Sequence, residues 1–168
     1  MVVTNNSSSP KNKFFKFFRN TADDSISMAV NGSVTAVPFR ITATNGSIEV
    51  TRVNVTLIDG AIRYGQYGGL GAALTNGITV RAHDVDDTVL CDYLDGETIK
   101  ANEDWGWLAG ADNIAIPAAG DDSFPVRWTI EKSGKKSLLT EGQYIEIKIS
   151  DNVAGLTKHT AFAQGVNL

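Results

Sequence analysis

Two imidazoles, one thiol and several knots of carboxylates are the side chains of this chain that could carry chemistry. His83 and His159 lie far apart in sequence, so any Ser–His–acid relay would have to be assembled by the fold. Neither belongs to a His-Glu-x-x-His zinc pattern, and no Ser stands in a Gly-x-Ser-x-Gly elbow. The glycines between Gly65 and Gly71 are followed by no Lys that could meet a phosphate. Cys91, set among Val89, Leu90 and Tyr93, reads as a buried, inert thiol rather than a nucleophile. Carboxylates gather at Asp84, Asp86 and Asp87, at Asp92, Asp95 and Glu97, at Glu103-Asp104 and at Asp121-Asp122. None has the spacing of an EF-hand loop, and they read as solvated turn acids, with calcium as the alternative. A carboxylate pair for glycoside cleavage would need a separation that sequence does not specify. No catalytic residue, metal site or cofactor is assigned, and a non-enzymatic role is expected.

The aromatic residues are better candidates for contact chemistry. Trp105 and Trp107 flank Gly106 in the polar run NEDWGWL and are candidates for stacking on a sugar ring. Trp128 alternates with Phe124, Val126 and Ile130, which marks it as core. Residues 60–77 are glycine-rich and read as a long irregular connection. Its reading as a plain surface loop competes with that of an arm ordered on another subunit, anchored by Tyr64, Tyr67 and Leu70. In KFFKFFR, Phe14, Phe15, Phe17 and Phe18 are separated by single basic residues and need a partner surface. That surface is the chain's own core or a neighbouring subunit, with membrane or nucleic-acid contact as further alternatives.

These residues must be held by a fold whose size is set by 168 residues, enough for one domain with a substantial core. A single Cys excludes an internal disulfide. No apolar run approaches the roughly 18 residues of a membrane span, and the N-terminus lacks the order of a secretory signal. The net charge of −4 is uneven: Lys11, Lys13, Lys16 and Arg19 give residues 1–19 a charge of +4, which leaves −8 on residues 20–168. Such an acidic body is a poor candidate for binding nucleic acid through a basic face, and no specific nucleic-acid partner is expected.

Short β-prone runs separated by Gly-containing turns dominate from residue 25 onward. Turns are expected at Asn31-Gly32, Asn45-Gly46, Asp59-Gly60, Asn76-Gly77, Asp95-Gly96, Gly134 and Glu141-Gly142. In Ile48–Ile58 the period-two pattern slips between Val50 and Val53, which predicts a β-bulge near Thr51–Arg52. The expected architecture is all-β: an antiparallel β-sandwich at residues 23–168, with a jelly roll preferred over an immunoglobulin-like order. Residues 1–22 are expected to form an extended N-terminal arm.

Three stretches carry a resemblance to small structural proteins of tailed bacteriophages. They are the polar arm with KFFKFFR, the run YGQYGGLGAALTNGITVRA, and VLCDYLDGETIKANEDWGWLAG followed by FPVRWTIEKSG. The resemblance is one of style rather than of a diagnostic motif. It implies a capsid decoration (cement) protein, made in the host cytoplasm and incorporated into the virion. It further implies a homo-oligomer, favoured as a trimer, docked on the major capsid protein. The contacts would come from Phe14, Phe15, Phe17 and Phe18, with Tyr64, Tyr67 and Leu70 secondary. A neck or tail position and a carbohydrate- or receptor-binding module are the alternatives.

Overall fold

The computed structural model describes residues 13–18, 37–59, 62–113, 122–156 and 158–168. In chain order the elements are β1 (Lys13–Phe18), β2 (Val37–Thr42), β3 (Ile48–Asp59), β4 (Ile78–His83), β5 (Val89–Asp92) and α1 (Asp104–Trp107). They continue with β6 (Asp112–Asn113), β7 (Asp122–Thr129), a 3-10 turn at Ile130–Ser133, β8 (Leu138–Leu139), β9 (Tyr144–Ile149) and β10 (Lys158–Asn167). One sheet has the order β1-β10-β3-β7-β6, with β8 also on β3; the other has the order β2-β9-β4-β5. Every pairing is antiparallel. The chain is therefore all-β, with two antiparallel sheets in a sandwich-like arrangement around one core.

Register explains why these residues form these sheets. In the second sheet Ile41 lies opposite Ile145, and Ile145 opposite Ala82, while Phe39, Ile147 and Val80 make the next apolar row. All six are buried. The first sheet answers with Val53, Ala163 and Trp128 in one row and Val55, Ala161 and Val126 in another. Because side chains alternate faces, each buried row is separated from the next by a row on the other face. Tyr93, just past β5, meets Trp128 of β7 edge-to-face at a centroid distance of 5.2 Å, linking the two sheets. Such a pair adds about 0.5–1.5 kcal/mol beyond its buried area.

The bulge expected in β3 is present. Gln164 pairs with Arg52 and Gly165 with Val50, so Thr51 is the extra residue. Its hydroxyl donates to the Gln164 carbonyl at 3.2 Å. The slip lets Ile48 and Val50 share the buried face with Val53, Val55 and Leu57.

Two expectations need restating. Lys13–Phe18, assigned to an arm, pairs along its backbone with β10, while the rest of residues 1–22 and the Asn31-Gly32 turn lie outside the described residues. Residues 62–77 do not form a regular element, but they are not a loose surface connection: Tyr67 and Leu74 are buried in the core. The run NEDWGWL holds the helix α1.

Candidate functional site

The short helix decides the fate of the two tryptophans. Residues two apart on an α-helix point about 200° away from each other. On α1 this sends Trp105 into the core at 1% exposure and leaves Trp107 in solvent at 83%. Trp105 is thus corrected from a candidate stacking residue to a core residue. Asp104 shapes the turn before the helix, its carboxylate accepting from the amides of Lys100 at 2.7 Å and Ala101 at 2.8 Å. Gly106 lets β6 come close, since a Cβ there would lie 3.0 Å from Asn113 Nδ2.

Asn102 fastens the glycine-rich segment to this turn. It is fully buried, and its Nδ2 donates to the carbonyls of Arg63 at 2.6 Å and Gly68 at 3.3 Å. Its Oδ1 accepts from the Gly68 amide at 2.7 Å, and its own amide donates to the Gln66 carbonyl at 2.8 Å. Beneath this clamp Tyr67 is fully buried and corrected from surface anchor to core. Its hydroxyl lies 2.9 Å from His159 Nε2. Burial pushes the Tyr67 hydroxyl well above its usual range and pulls the His159 imidazole down to about 4. Both groups are therefore neutral near pH 7. Leu70 is half-buried and packs against the same core rather than standing free.

Tyr64, one residue beyond the clamped Arg63 carbonyl, remains exposed at 72%. It and Trp107 line an open groove of about 610 Å³ together with Glu103, Gly106, Ala111, Asp112 and Asn113. That size lies in the range of small-molecule sites. Two oxygens of this lining, Glu103 Oε2 and Asn113 Oδ1, are buried without a hydrogen-bond partner. An unpaired buried acceptor costs about 1–3 kcal/mol. The chemistry of this arrangement is aromatic stacking combined with acceptance of hydrogen bonds.

A second polar cluster covers the outer face of the β2-β9-β4-β5 sheet. Arg40, Glu146, Arg81 and Asp92 stand opposite one another in a single row of alternating charge across its four strands. Arg40 Nε meets Glu146 Oε2 at 2.8 Å, and Arg81 Nε meets Asp92 Oδ2 at 2.9 Å. In the neighbouring row His83 stacks on Tyr144 at 4.9 Å, the Arg40 guanidinium lies 4.5 Å from the Tyr144 ring centre, and His83 Nδ1 is 3.0 Å from the Asp87 carbonyl. The Tyr144 hydroxyl donates to Asp87. Tyr144 and Glu146, which alternation puts on the solvent side, are consequently buried by their polar neighbours.

Of the other residues singled out from sequence, Cys91 is half-buried against the core, and Trp128 is buried. The side chains of Phe14, Phe15, Phe17 and Phe18 lie outside the described residues, as does Asp121. The two histidines sit in different clusters, one on the outer face and one in the core. Among the described residues no group of His, Cys, Asp and Glu is placed to hold a metal ion, and no helix is long and apolar enough to cross a membrane. Sequence reasoning missed Asn102 and Asn113, because an amide in a turn or in a two-residue strand gives no periodic signal and its neighbours are brought together only by the fold. Compared with protein-family models, curated proteins and solved structures, the chain matches none.

Proposed function

We propose that this chain is a non-catalytic structural protein of a tailed-phage virion, built as a jelly roll and docked on the head as a decoration protein. The observation that carries the reading is the strand order. Setting aside the two-residue strands β6 and β8, eight strands remain among the described residues, in the orders β1-β10-β3-β7 and β2-β9-β4-β5. First and last strands are neighbours, and successive strands β1 to β4 alternate between the sheets. This order supports the winding of two Greek keys in a jelly roll, an architecture used by viral capsid domains and by lectins. It favours that topology over the immunoglobulin-like order, in which the first two strands share a sheet. The step from architecture to particle rests on analogy and on the resemblance in sequence style.

The β4–β5 hairpin supplies a contact surface of the right chemistry. Val85, Val89 and Leu90 are exposed there, and β5 ends its sheet with one edge unpaired among the described residues. An exposed apolar edge strand is a template for association with another chain. A closed homo-oligomer, trimer favoured, would cover it and seat on the major capsid protein, with the Phe14–Phe18 segment as a further contact. Placement at the neck or tail would use the same contacts. Mass spectrometry and imaging of purified particles from the phage that carries the gene test the reading. The chain should be present in many copies on the head; its absence from purified particles would overturn the proposal.

A further inference from the structure

We propose that the groove between Tyr64 and Trp107 binds a neutral glycan. This stands apart from the particle reading and holds whichever particle carries the chain. The aromatic faces of Tyr64 and Trp107 are exposed at 72% and 83%, yet their backbones are fixed by the Asn102 clamp and by α1. Rigid, solvated aromatic faces carry the negative π surface against which the C–H face of a pyranose packs.

The rest of the lining fits the same ligand. Glu103 and Asn113, both in the lining, each hold an acceptor without a partner, Oε2 and Oδ1. Sugar hydroxyls are the donors that would satisfy them. Glu103 and Asp112 place carboxylates in the lining, which disfavours anionic glycans, phosphates and nucleic acid. No aliphatic side chain larger than Ala111 lines the groove, so it lacks the apolar centre that a lipid or a protein hot spot requires.

The test is a titration of the full chain with dextran, mannan, laminarin and xylan, with hyaluronate as the anionic comparison. It is read by tryptophan emission and by calorimetry. Trp107 is the exposed indole, while Trp105 and Trp128 are buried, so occupancy should shift emission to shorter wavelength and saturate with at least one neutral polymer. Trp107→Ala and Tyr64→Ala should each weaken binding roughly ten-fold, and Glu103→Gln should weaken it several-fold. The melting temperature of Trp107→Ala should stay within about 2 °C of the parent, because the ring is exposed. Failure of all four neutral polymers to bind, or equal binding of hyaluronate, would overturn the proposal. So would full affinity in the Tyr64→Ala, Trp107→Ala double variant. A change of native mass in Trp107→Ala without glycan binding would instead identify the groove as a protein interface and also overturn it.

Discussion

The Tyr67 hydroxyl meets His159 Nε2 at 2.9 Å inside the core, joining the glycine-rich segment to the last strand. His159 occupies a buried position opposite Leu57 of β3, and Leu57 in turn faces Phe124 of β7. An imidazole in that apolar row is tolerated in its neutral form, with Tyr67 satisfying one nitrogen.

Stability should therefore depend on pH through His159. Its folded-state value is depressed by burial from 6.5 to about 4, so between these values the unfolded chain binds the extra proton. Stability rises with pH across that window: it is complete above about pH 6.5 and is lost as pH falls toward 4. The loss is on the order of 3 kcal/mol from this group. His159→Gln, which cannot titrate, should be less stable at neutral pH but show a flatter decline between pH 6.5 and 4. Urea melts of both proteins across the window would measure this, and equal slopes would remove His159 as the cause.

Asn102 holds the groove's two walls together, and its loss should be felt in both stability and local order. Asn102→Ala leaves the Gly68 amide and the Arg63 carbonyl without their side-chain partner, while the Gly68 carbonyl keeps Gln66 Nε2 at 3.0 Å. Orphaning buried backbone groups predicts a cost of about 2–4 kcal/mol in chemical unfolding. Hydrogen exchange should accelerate at the Gly68 amide well beyond its acceleration at Val55 in the middle of β3. Uniform acceleration would mean that Asn102 stabilises the whole fold without any special hold on this segment.

What could be read from the sequence follows the same physical division. Period-two runs expose themselves because each strand repeats one environment at every second residue, which is why Phe124, Val126 and Trp128 declared their buried face. The slip between Val50 and Val53 announced the bulge at Thr51 for the same reason. Trp105 and Trp107 could not be separated in this way, because residues two apart share a face on a strand but oppose each other on a helix, and four residues are too few to show helical period. Tyr67 and His159 were illegible as a pair, since the contact spans 92 positions. On β10 the buried face carries the small residues Ala161 and Ala163, while Phe162 is only half-buried, so hydrophobicity alone points the wrong way.

The turn at Gly77 separates two costs that glycine replacement usually mixes. Gly77 has φ +85°, and a Cβ there would lie 2.6 Å from Thr98 Oγ1 and 2.9 Å from the Ile99 carbonyl. Its amide also donates to Asp151 Oδ2 at 2.5 Å. Gly134 has φ +68° with nothing within 4 Å of the same added atom. Gly134→Ala should cost about 1 kcal/mol for the left-handed backbone alone. Gly77→Ala should cost at least about 3 kcal/mol, since the backbone carbonyl of Ile99 has no room to give way. Thermal melts of the two variants check the ranking, and equal losses would show that the turn relaxes around the methyl group.

The charged row on the outer sheet face gives the most exacting electrostatic test. Glu146 stands between Arg40 and Arg81 in register, and its side chain is only 10% exposed against 49% for Arg40. Replacing it by Gln leaves two guanidinium groups facing each other across a neutral residue, so the loss should exceed that of an isolated surface pair. Glu146→Gln is expected to cost about 1–2 kcal/mol. A double-mutant cycle with Arg40→Ala should isolate a coupling of roughly 0.5–1 kcal/mol. In 1 M salt the screening length falls to about 3 Å, so the exposed Arg40 should lose most of its longer-range attraction while the 2.8 Å hydrogen bond persists. The coupling should then fall by about half rather than vanish. A coupling indifferent to salt would make the row a hydrogen-bonded seam, and one that disappeared would reduce it to surface charge.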